Sequence, residues 1–236
     1  MDGKNLRPST SLSVRGRSFA HWTPAYLTRR IRSKLRERFH PEEPSFTPQA
    51  VALLEGLLRP GDIGVEWGSG NSTRWFARRT RHLTSFESAE PYYNEVKASL
   101  HAAGLSNVDQ RLVALDADDD EQAIHRTPWM TAARAFPDAS LDYALVDTYP
   151  RGCLCATAVA KLRPGGLLIV DNANWWMPPP PDVYPPAMGS VPVLAGTPGS
   201  AIAKHECWPA FSGMTADWRR HWSSDGVQMT LVLFKN

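Results

Sequence analysis

Residues 62–73 combine an acidic side chain, two closely spaced glycines and several hydroxyl groups. In the run Asp62-Ile-Gly-Val-Glu-Trp-Gly-Ser-Gly-Asn-Ser-Thr73, a short apolar segment ends at Glu66, and Gly68 and Gly70 follow at once. Glycine has no Cβ and tolerates positive φ, so it lets a ligand come close to the backbone. The next residues can begin a helix whose first N–H groups point at the same place. This pattern predicts a nucleotide-type site at the carboxyl end of a strand in an open α/β sheet.

The same loop lacks the features of two common phosphate-binding motifs. A dinucleotide fingerprint has a third glycine where this chain has Thr73, which disfavours a nicotinamide dehydrogenase, and a P-loop has a lysine that residues 66–73 do not contain. A carboxylate at this point would repel a pyrophosphate and suits a ligand with an ammonium or sulfonium group. We expect the cofactor to be bound by Glu66, Gly68, Ser69, Gly70, Ser72 and Thr73.

Four of the five predicted parallel strands, including the one before the loop, have an acidic residue at or next to their carboxyl end. These residues are Glu66, Glu87, Asp147 and Asp171, with Asp116 after the remaining strand. The carboxyl ends of parallel strands meet at one edge, where ligands bind, so these carboxylates should converge there. Each one taken singly could instead cap a helix. An acid after the second strand can accept hydrogen bonds from ribose hydroxyls, which assigns Glu87 to the cofactor's ribose.

The spacing of apolar residues predicts helices that alternate with strands. We predict strands at 63–67, 83–87, 110–114, 141–146, 167–170 and 227–234, and helices at 24–39, after Thr47, and at 72–81, 91–103, 121–135 and 153–162. This alternation is typical of βαβ units and therefore of an α/β fold with a parallel sheet.

The acid-glycine loop followed by acidic strand ends resembles the class I S-adenosylmethionine (SAM) methyltransferases over about residues 45–175. The resemblance implies one Rossmann-like domain with a seven-stranded, mostly parallel sheet, helices on both faces, and SAM as the cofactor. In that family the end of the third strand contacts adenine, which implies a role for Asp116 and Ala117. The family's sheet ends in antiparallel strands, to which the predicted strand at 227–234 corresponds.

Residues 142–147 and 164–172 are similar to segments of the cation-dependent O-methyltransferases of the catechol and caffeoyl-coenzyme A kinds. The resemblance implies that Asp147, Asp171 and Asn172 bind Mg²⁺ or a similar ion, and that Asp147 also lies at SAM and the acceptor. Hard oxygen donors suit Mg²⁺, Mn²⁺ or Ca²⁺. Such an ion would hold an acceptor hydroxyl, lower its pKa and aim its oxygen at the methyl group.

One position departs from that family. It has a lysine three residues after the acid of strand four, whereas this chain has Pro150, followed by Arg151, which cannot act as a base near neutral pH. Either the metal alone activates the acceptor, or Tyr149 or His205 helps as a catalytic group, or the chemistry differs. A small-molecule acceptor with a hydroxyl oxygen is expected. A metal-independent N- or O-methyltransferase and a SAM-binding module without catalysis are the alternatives.

Residues 1–44 form a predicted basic segment before a methyltransferase domain at 45–236. The first 40 residues hold ten Lys and Arg against two acidic residues, and 24–39 read as a basic amphipathic helix. Its simplest role is to pack on the domain edge, and the alternatives are contact with an anionic surface or an acidic substrate. No aromatic-interleaved motif accompanies the basic residues, so nucleic acid is not expected as a partner.

Residues 173–225 hold nine of the 20 prolines and five of the nine tryptophans, which predicts a packed lid. Three cysteines are too few for a disulfide framework, and Cys153-x-Cys155 lacks the partners of a zinc site. The sequence shows no signal-peptide core and no transmembrane run, so a cytoplasmic location is expected.

Overall fold

A seven-stranded sheet organises the chain in a computed structural model that describes residues 23–114, 125–173 and 207–236. The strands are β1 (Ile63–Trp67), β2 (His82–Glu87), β3 (Val108–Leu112), β4 (Leu141–Val146), β5 (Leu162–Asp171), β6 (Arg219–Ser224) and β7 (Met229–Phe234). Their order is β3-β2-β1-β4-β5-β7-β6, and β7 is antiparallel to both of its neighbours while the other pairs are parallel. The predicted seven-stranded, mostly parallel sheet is confirmed.

Helices follow the strands as the alternation predicts. They are α1 (Pro24–Phe39), α2 (Pro48–Leu57), α3 (Asn71–Ala77), α4 (Glu90–Ala102), α5 (Pro128–Arg134), α6 (Arg151–Lys161) and α7 (Cys207–Met214). Three of them begin with the same Thr-Pro pair, in which Thr23, Thr47 or Thr127 accepts a backbone hydrogen bond and proline takes the first helical position.

The core lies on both faces of the sheet because successive residues of a strand point to opposite sides. In β4, Tyr143 and Leu145 pack in one cluster with residues of α2 and α3, whereas Ala144 and Val146 pack in the other with α5, α6 and α7. Helices therefore cover both faces, as expected.

The segment predicted as a lid contains regular structure that the sequence did not indicate. Helix α7 and strand β6 lie within 173–225, and Trp208, Trp218 and Trp222 are buried core residues there. Strand β6 has the sequence Arg-Arg-His-Trp-Ser-Ser, whose polar composition gives no strand signal. The lid prediction can therefore apply only to residues 174–206, which lie outside the described residues. The predicted domain boundary at 44/45 stays a prediction.

A disulfide joins Cys153 of α6 to Cys207 of α7, with their Cα atoms 5.0 Å apart. The sequence analysis did not predict this bond, because the two cysteines are 54 residues apart and only the packing of α7 against α6 brings them together. The predicted cytoplasmic location stays a prediction. Within the described ranges, no helix is long and apolar enough to cross a membrane.

Candidate functional site

The site lies where the strand order reverses, between β1 and β4. The Gly68 N–H donates to the Phe86 carbonyl at 3.0 Å, and the Asp147 N–H donates to the Trp67 carbonyl at 2.9 Å. These bonds hold the carboxyl ends of β1, β2 and β4 side by side. In open α/β sheets, the crevice outside such a switch point is the usual place for a ligand.

The two glycines of the loop have different structural roles. Gly68 has φ +103°, and a Cβ there would lie 2.9 Å from the Asp147 carbonyl oxygen, so the fold itself requires glycine. A Cβ at Gly70 would meet only Ser72 Oγ, at 3.9 Å. The space beside Gly70 is therefore open, which is what close approach of a ligand requires.

Glu66 is fully buried beneath the loop and is bound by three hydroxyl groups. Ser72 Oγ donates to Oε1, while Thr73 Oγ1 and Ser85 Oγ donate to Oε2 at 2.5 and 2.7 Å. Burial raises the pKa of Glu66 from 4.5 to about 7, and the three hydrogen bonds oppose that rise. Its carboxyl group thus ties the loop to β2 from inside the fold.

The remaining predicted loop residues complete this network. Ser69 Oγ lies 2.7 Å from Ser85 Oγ, and the Gly70 N–H donates to Thr73 Oγ1 at 3.0 Å. Sequence reasoning missed Ser85, although a serine inside a buried strand is a signal that a polar partner lies nearby. The predicted residues Gly68, Ser69, Gly70, Ser72 and Thr73 are thus brought together around Glu66.

Glu87 ends β2 with one carboxylate oxygen engaged and the other available. Its Oε1 accepts the N–H groups of Ser88 at 2.7 Å and Ala89 at 2.8 Å. Its Oε2 has no hydrogen-bond partner among the described residues. The two main-chain bonds fix the orientation of this buried carboxylate at the end of β2.

Arg151, at the start of α6, links the ends of β4 and β5. Its Nη2 donates to Asp147 Oδ1 at 2.6 Å, and its Nη1 donates to the Asp171 main-chain carbonyl. The Arg151 side chain is only 9% exposed, whereas that of Asp147 is 39% exposed. From the sequence, Arg151 was notable only as a residue that cannot act as a base near neutral pH.

Asp171 is buried and both of its carboxylate oxygens accept hydrogen bonds. Thr230 Oγ1 donates to Oδ1 at 3.1 Å, and Asn172 Nδ2 donates to Oδ2 at 2.7 Å. Burial, and then the charge of Asp147, raise the pKa of Asp171 well above its usual range, while the Arg151 guanidinium opposes the rise.

These contacts do not fit a divalent cation held by Asp147, Asp171 and Asn172 together. The guanidinium of Arg151 already supplies a positive charge between the two acids, and the oxygens of Asp171 are taken up by internal donors. A hard cation needs several free oxygen ligands. In this arrangement the positive charge beside Asp147 and Asp171 comes from the Arg151 guanidinium.

Comparisons with known proteins report on the fold. No family model and no curated protein matches the chain. A Staphylococcus aureus protein described provisionally as a caffeoyl-CoA O-methyltransferase is similar at 14% identity over 92% of this chain and 95% of its own, with a TM-score of 0.51. A Geobacter sulfurreducens methyltransferase is 14% identical over 88% of this chain and 89% of its own, with a TM-score of 0.50. A Clostridium thermocellum protein described provisionally as an rRNA methylase is 13% identical over 80% of this chain and 96% of its own, also with a TM-score of 0.50.

The chain has the class I methyltransferase fold. Within this methyltransferase fold, the predicted residues Gly68, Glu87 and Asp147 lie at the ends of adjacent strands. Tyr149 is half-buried against the core, and its catalytic role stays a prediction. Asp116, Ala117 and His205 lie outside the described residues, so their predicted roles are untested.

Proposed function

We propose that this protein is a SAM-dependent methyltransferase. The observation that carries the proposal is the set of features at the adjacent carboxyl ends of β1, β2 and β4. These are the open space at Gly70, the Glu87 carboxylate with no described partner on Oε2, and the exposed carboxylate of Asp147. A site with a carboxylate at each of two strand ends and no phosphate-binding motif favours a cationic nucleoside ligand.

In the proposed complex, Glu87 Oε2 accepts a hydrogen bond from a ribose hydroxyl of SAM. The backbone at Gly68 and Gly70 packs against the cofactor, and the acidic rim attracts its ammonium and sulfonium groups. Asp116 and Ala117 remain the proposed adenine contacts. Glu66 holds the shape of the loop through Ser72, Thr73 and Ser85 and need not touch SAM.

The proposed reaction transfers the SAM methyl group to a hydroxyl oxygen of a small molecule. The acceptor oxygen forms a bond to the methyl carbon as the carbon–sulfur bond breaks, and S-adenosylhomocysteine and the acceptor proton leave. Such a displacement depends mainly on alignment and on exclusion of water. Asp147 Oδ1 is held by Arg151, and Oδ2 has no partner among the described residues. That oxygen is our proposed acceptor for the hydroxyl proton.

We further propose that the transfer needs no metal. The support is the Arg151 guanidinium, which provides positive charge beside Asp147 and Asp171. Methyl transfer assayed with and without EDTA tests this proposal across catechols, sugars and small amines. Activity that disappears in EDTA and returns with Mg²⁺ would restore the metal-dependent alternative. Transfer to RNA in place of these acceptors would overturn the small-molecule assignment.

Calorimetric titration with SAM and with NAD tests the cofactor directly. The sharpest variant is Gly70→Val, because its Cβ has room in the fold while its methyl groups enter the open space beside the loop. Gly61→Val is the matched control, since a Cβ at Gly61 also meets no atom within 4 Å and lies before β1. We expect SAM binding by the wild type and the control, and loss of binding by Gly70→Val. Equal affinity in all three would contradict the site.

A further inference from the structure

Helix α1 is fixed to the domain by one face. Tyr26 is 7% exposed, and the Arg29 side chain covers Gly226, where an added Cβ would lie 2.5 Å from Arg29 Cδ. Arg36 donates to the Phe46 carbonyl at 3.2 Å and forms an ion pair with Glu43 at 2.5 Å. These contacts leave the opposite face of the helix turned away from the domain.

That opposite face carries an apolar stripe that none of the other described residues covers. Leu27, Ile31, Leu35 and Phe39 recur every four residues and are 38, 61, 46 and 71% exposed. Residues four apart lie on one side of a helix, so the four side chains form a continuous strip. Four large apolar side chains left together in water indicate a binding surface rather than scattered surface residues.

Basic side chains border the stripe on both sides. Arg30, Lys34 and Arg38 follow one flank and line a shallow groove with Leu27, Ile31 and Leu35, and Arg32 lies on the other flank. All four are exposed. The single acid of α1, Glu37, is half-buried toward the domain side and pairs with Lys34 at 2.6 Å. The outer face is therefore apolar at its centre and cationic along its edges.

We propose that the outer face of α1 binds an anionic lipid surface. An amphipathic helix lying in the plane of a bilayer buries an apolar strip while flanking Lys and Arg meet acidic headgroups. A second copy of the chain fits less well, because a symmetric contact would bring the same cationic flanks together. Nucleic acid also fits less well, since the centre of the face offers Ile31 and Leu35 where phosphates would need cations.

The position of α1 relates this surface to the site. Gly226 lies in the turn between β6 and β7, and β7 begins beside the end of β5, where Thr230 pairs with Asp171. Helix α1 therefore touches the same edge of the sheet that carries the site. The lipid-binding inference itself does not depend on the proposed methyl transfer.

Vesicle co-sedimentation of the full chain tests the proposal. The probes are phosphatidylcholine vesicles with and without phosphatidylglycerol, at low and high salt. The test variant is Ile31→Glu/Leu35→Glu, and the control is Leu112→Glu, because Leu112 on β3 is 45% exposed, nearly the same as Leu35. We expect the wild type and the control to bind the anionic vesicles, and the double variant to bind at least about 10-fold more weakly.

Removing charge gives a second, graded readout. Arg30→Gln and Lys34→Gln should each weaken vesicle binding by about 5-fold, and high salt should weaken it further. Circular dichroism and thermal melting confirm that each variant folds. Equal binding to neutral and anionic vesicles, or unchanged binding by the double variant, would overturn the proposal. If the wild type does not bind vesicles but associates with itself or binds RNA, and the double variant loses that binding, the face belongs to a second copy of the chain or to RNA.

Discussion

Glu66→Gln tests whether burial raises the pKa of the carboxyl group under the loop. Glutamine has nearly the same shape, and its amide can pair with the hydroxyls of Ser72, Thr73 and Ser85, because a hydroxyl both donates and accepts. The substitution therefore removes the titration of Glu66 and leaves the packing of the loop in place. The structure predicts a pH-dependent difference in stability between the two proteins.

The size and sign of that difference follow from the pKa of Glu66. A carboxyl whose pKa is raised from 4.5 to about 7 on folding stabilises the fold below pH 4.5, and this contribution is lost as the pH rises toward 7. At about 1.36 kcal/mol per pH unit, the loss is about 3 kcal/mol. The free energy of unfolding of Glu66→Gln, minus that of the wild type, should rise by this amount from acid to mildly alkaline pH.

Urea unfolding followed by tryptophan fluorescence measures this difference from about pH 4 to about pH 8.5. Subtracting the two proteins at each pH isolates Glu66 from the other titrating groups. Glu55→Gln is the control for loss of a glutamate charge as such, since the Glu55 side chain is 48% exposed on α2. A difference between Glu66→Gln and wild type that stays constant across this range would refute the reasoning.

Four further predictions concern other residues of the fold. Arg151→Met removes the donor to the buried Asp171 carbonyl and should lower the free energy of unfolding by about 1–3 kcal/mol. The loss should be larger at pH 8 than at pH 5, because the pKa of Asp171 rises further without the guanidinium, and equal losses in urea titrations would count against it. Glu87→Gln keeps the acceptor for Ser88 and Ala89 but replaces Oε2 with a donor, so SAM affinity in calorimetry should fall by about 1–3 kcal/mol with unchanged stability. Cys207→Ser opens a link across 54 residues and should lower the free energy of unfolding by about 2–4 kcal/mol, whereas no loss would show that the thiols are not joined. Cys155, whose pKa burial raises to about 12, should resist thiol reagents in the folded protein.

The sheet could be predicted because its signals are local. Strands β1 and β4 have the predicted bounds, since each is a short apolar run between turn residues. The Thr-Pro pair at 47–48 likewise marks the start of α2. Strand β6 could not be found in this way, because it is an edge strand of arginine, histidine and serine whose pairing with β7 is settled by tertiary contacts.

The site was only partly visible in the sequence for the same reason. Glu66 and Glu87 lie at the carboxyl ends of β1 and β2 and Gly68 comes directly after β1, so their meeting at one edge follows from the order of the elements. The partners of these residues depend on packing across the sheet. Ser85 reaches Glu66 from β2, and Thr230 reaches Asp171 from β7, 59 residues later in the chain. The disulfide between α6 and α7 is likewise a consequence of helix packing.

The contact between Arg151 and Asp147 changes the chemistry expected at this edge. The resemblance to cation-dependent O-methyltransferases implied a metal ion held by Asp147 and Asp171 at these adjacent strand ends. A buried guanidinium gives the same compensation without a metal. Resemblance alone could not reveal this contact, because it transfers the ligand positions of a family but not the partners that Arg151 has in this chain, and the metal site stays a prediction.

A crystal structure with S-adenosylhomocysteine bound, grown in the presence of Mg²⁺, tests the central claim most directly. We predict that the ribose hydroxyls lie within hydrogen-bonding distance of Glu87 Oε2 and that the ligand packs against Gly68 and Gly70. We also predict that the Arg151–Asp147 pair stays intact, with no ion between Asp147 and Asp171. A nucleoside bound away from the carboxyl ends of β1 and β2, or no binding at all, would contradict the account.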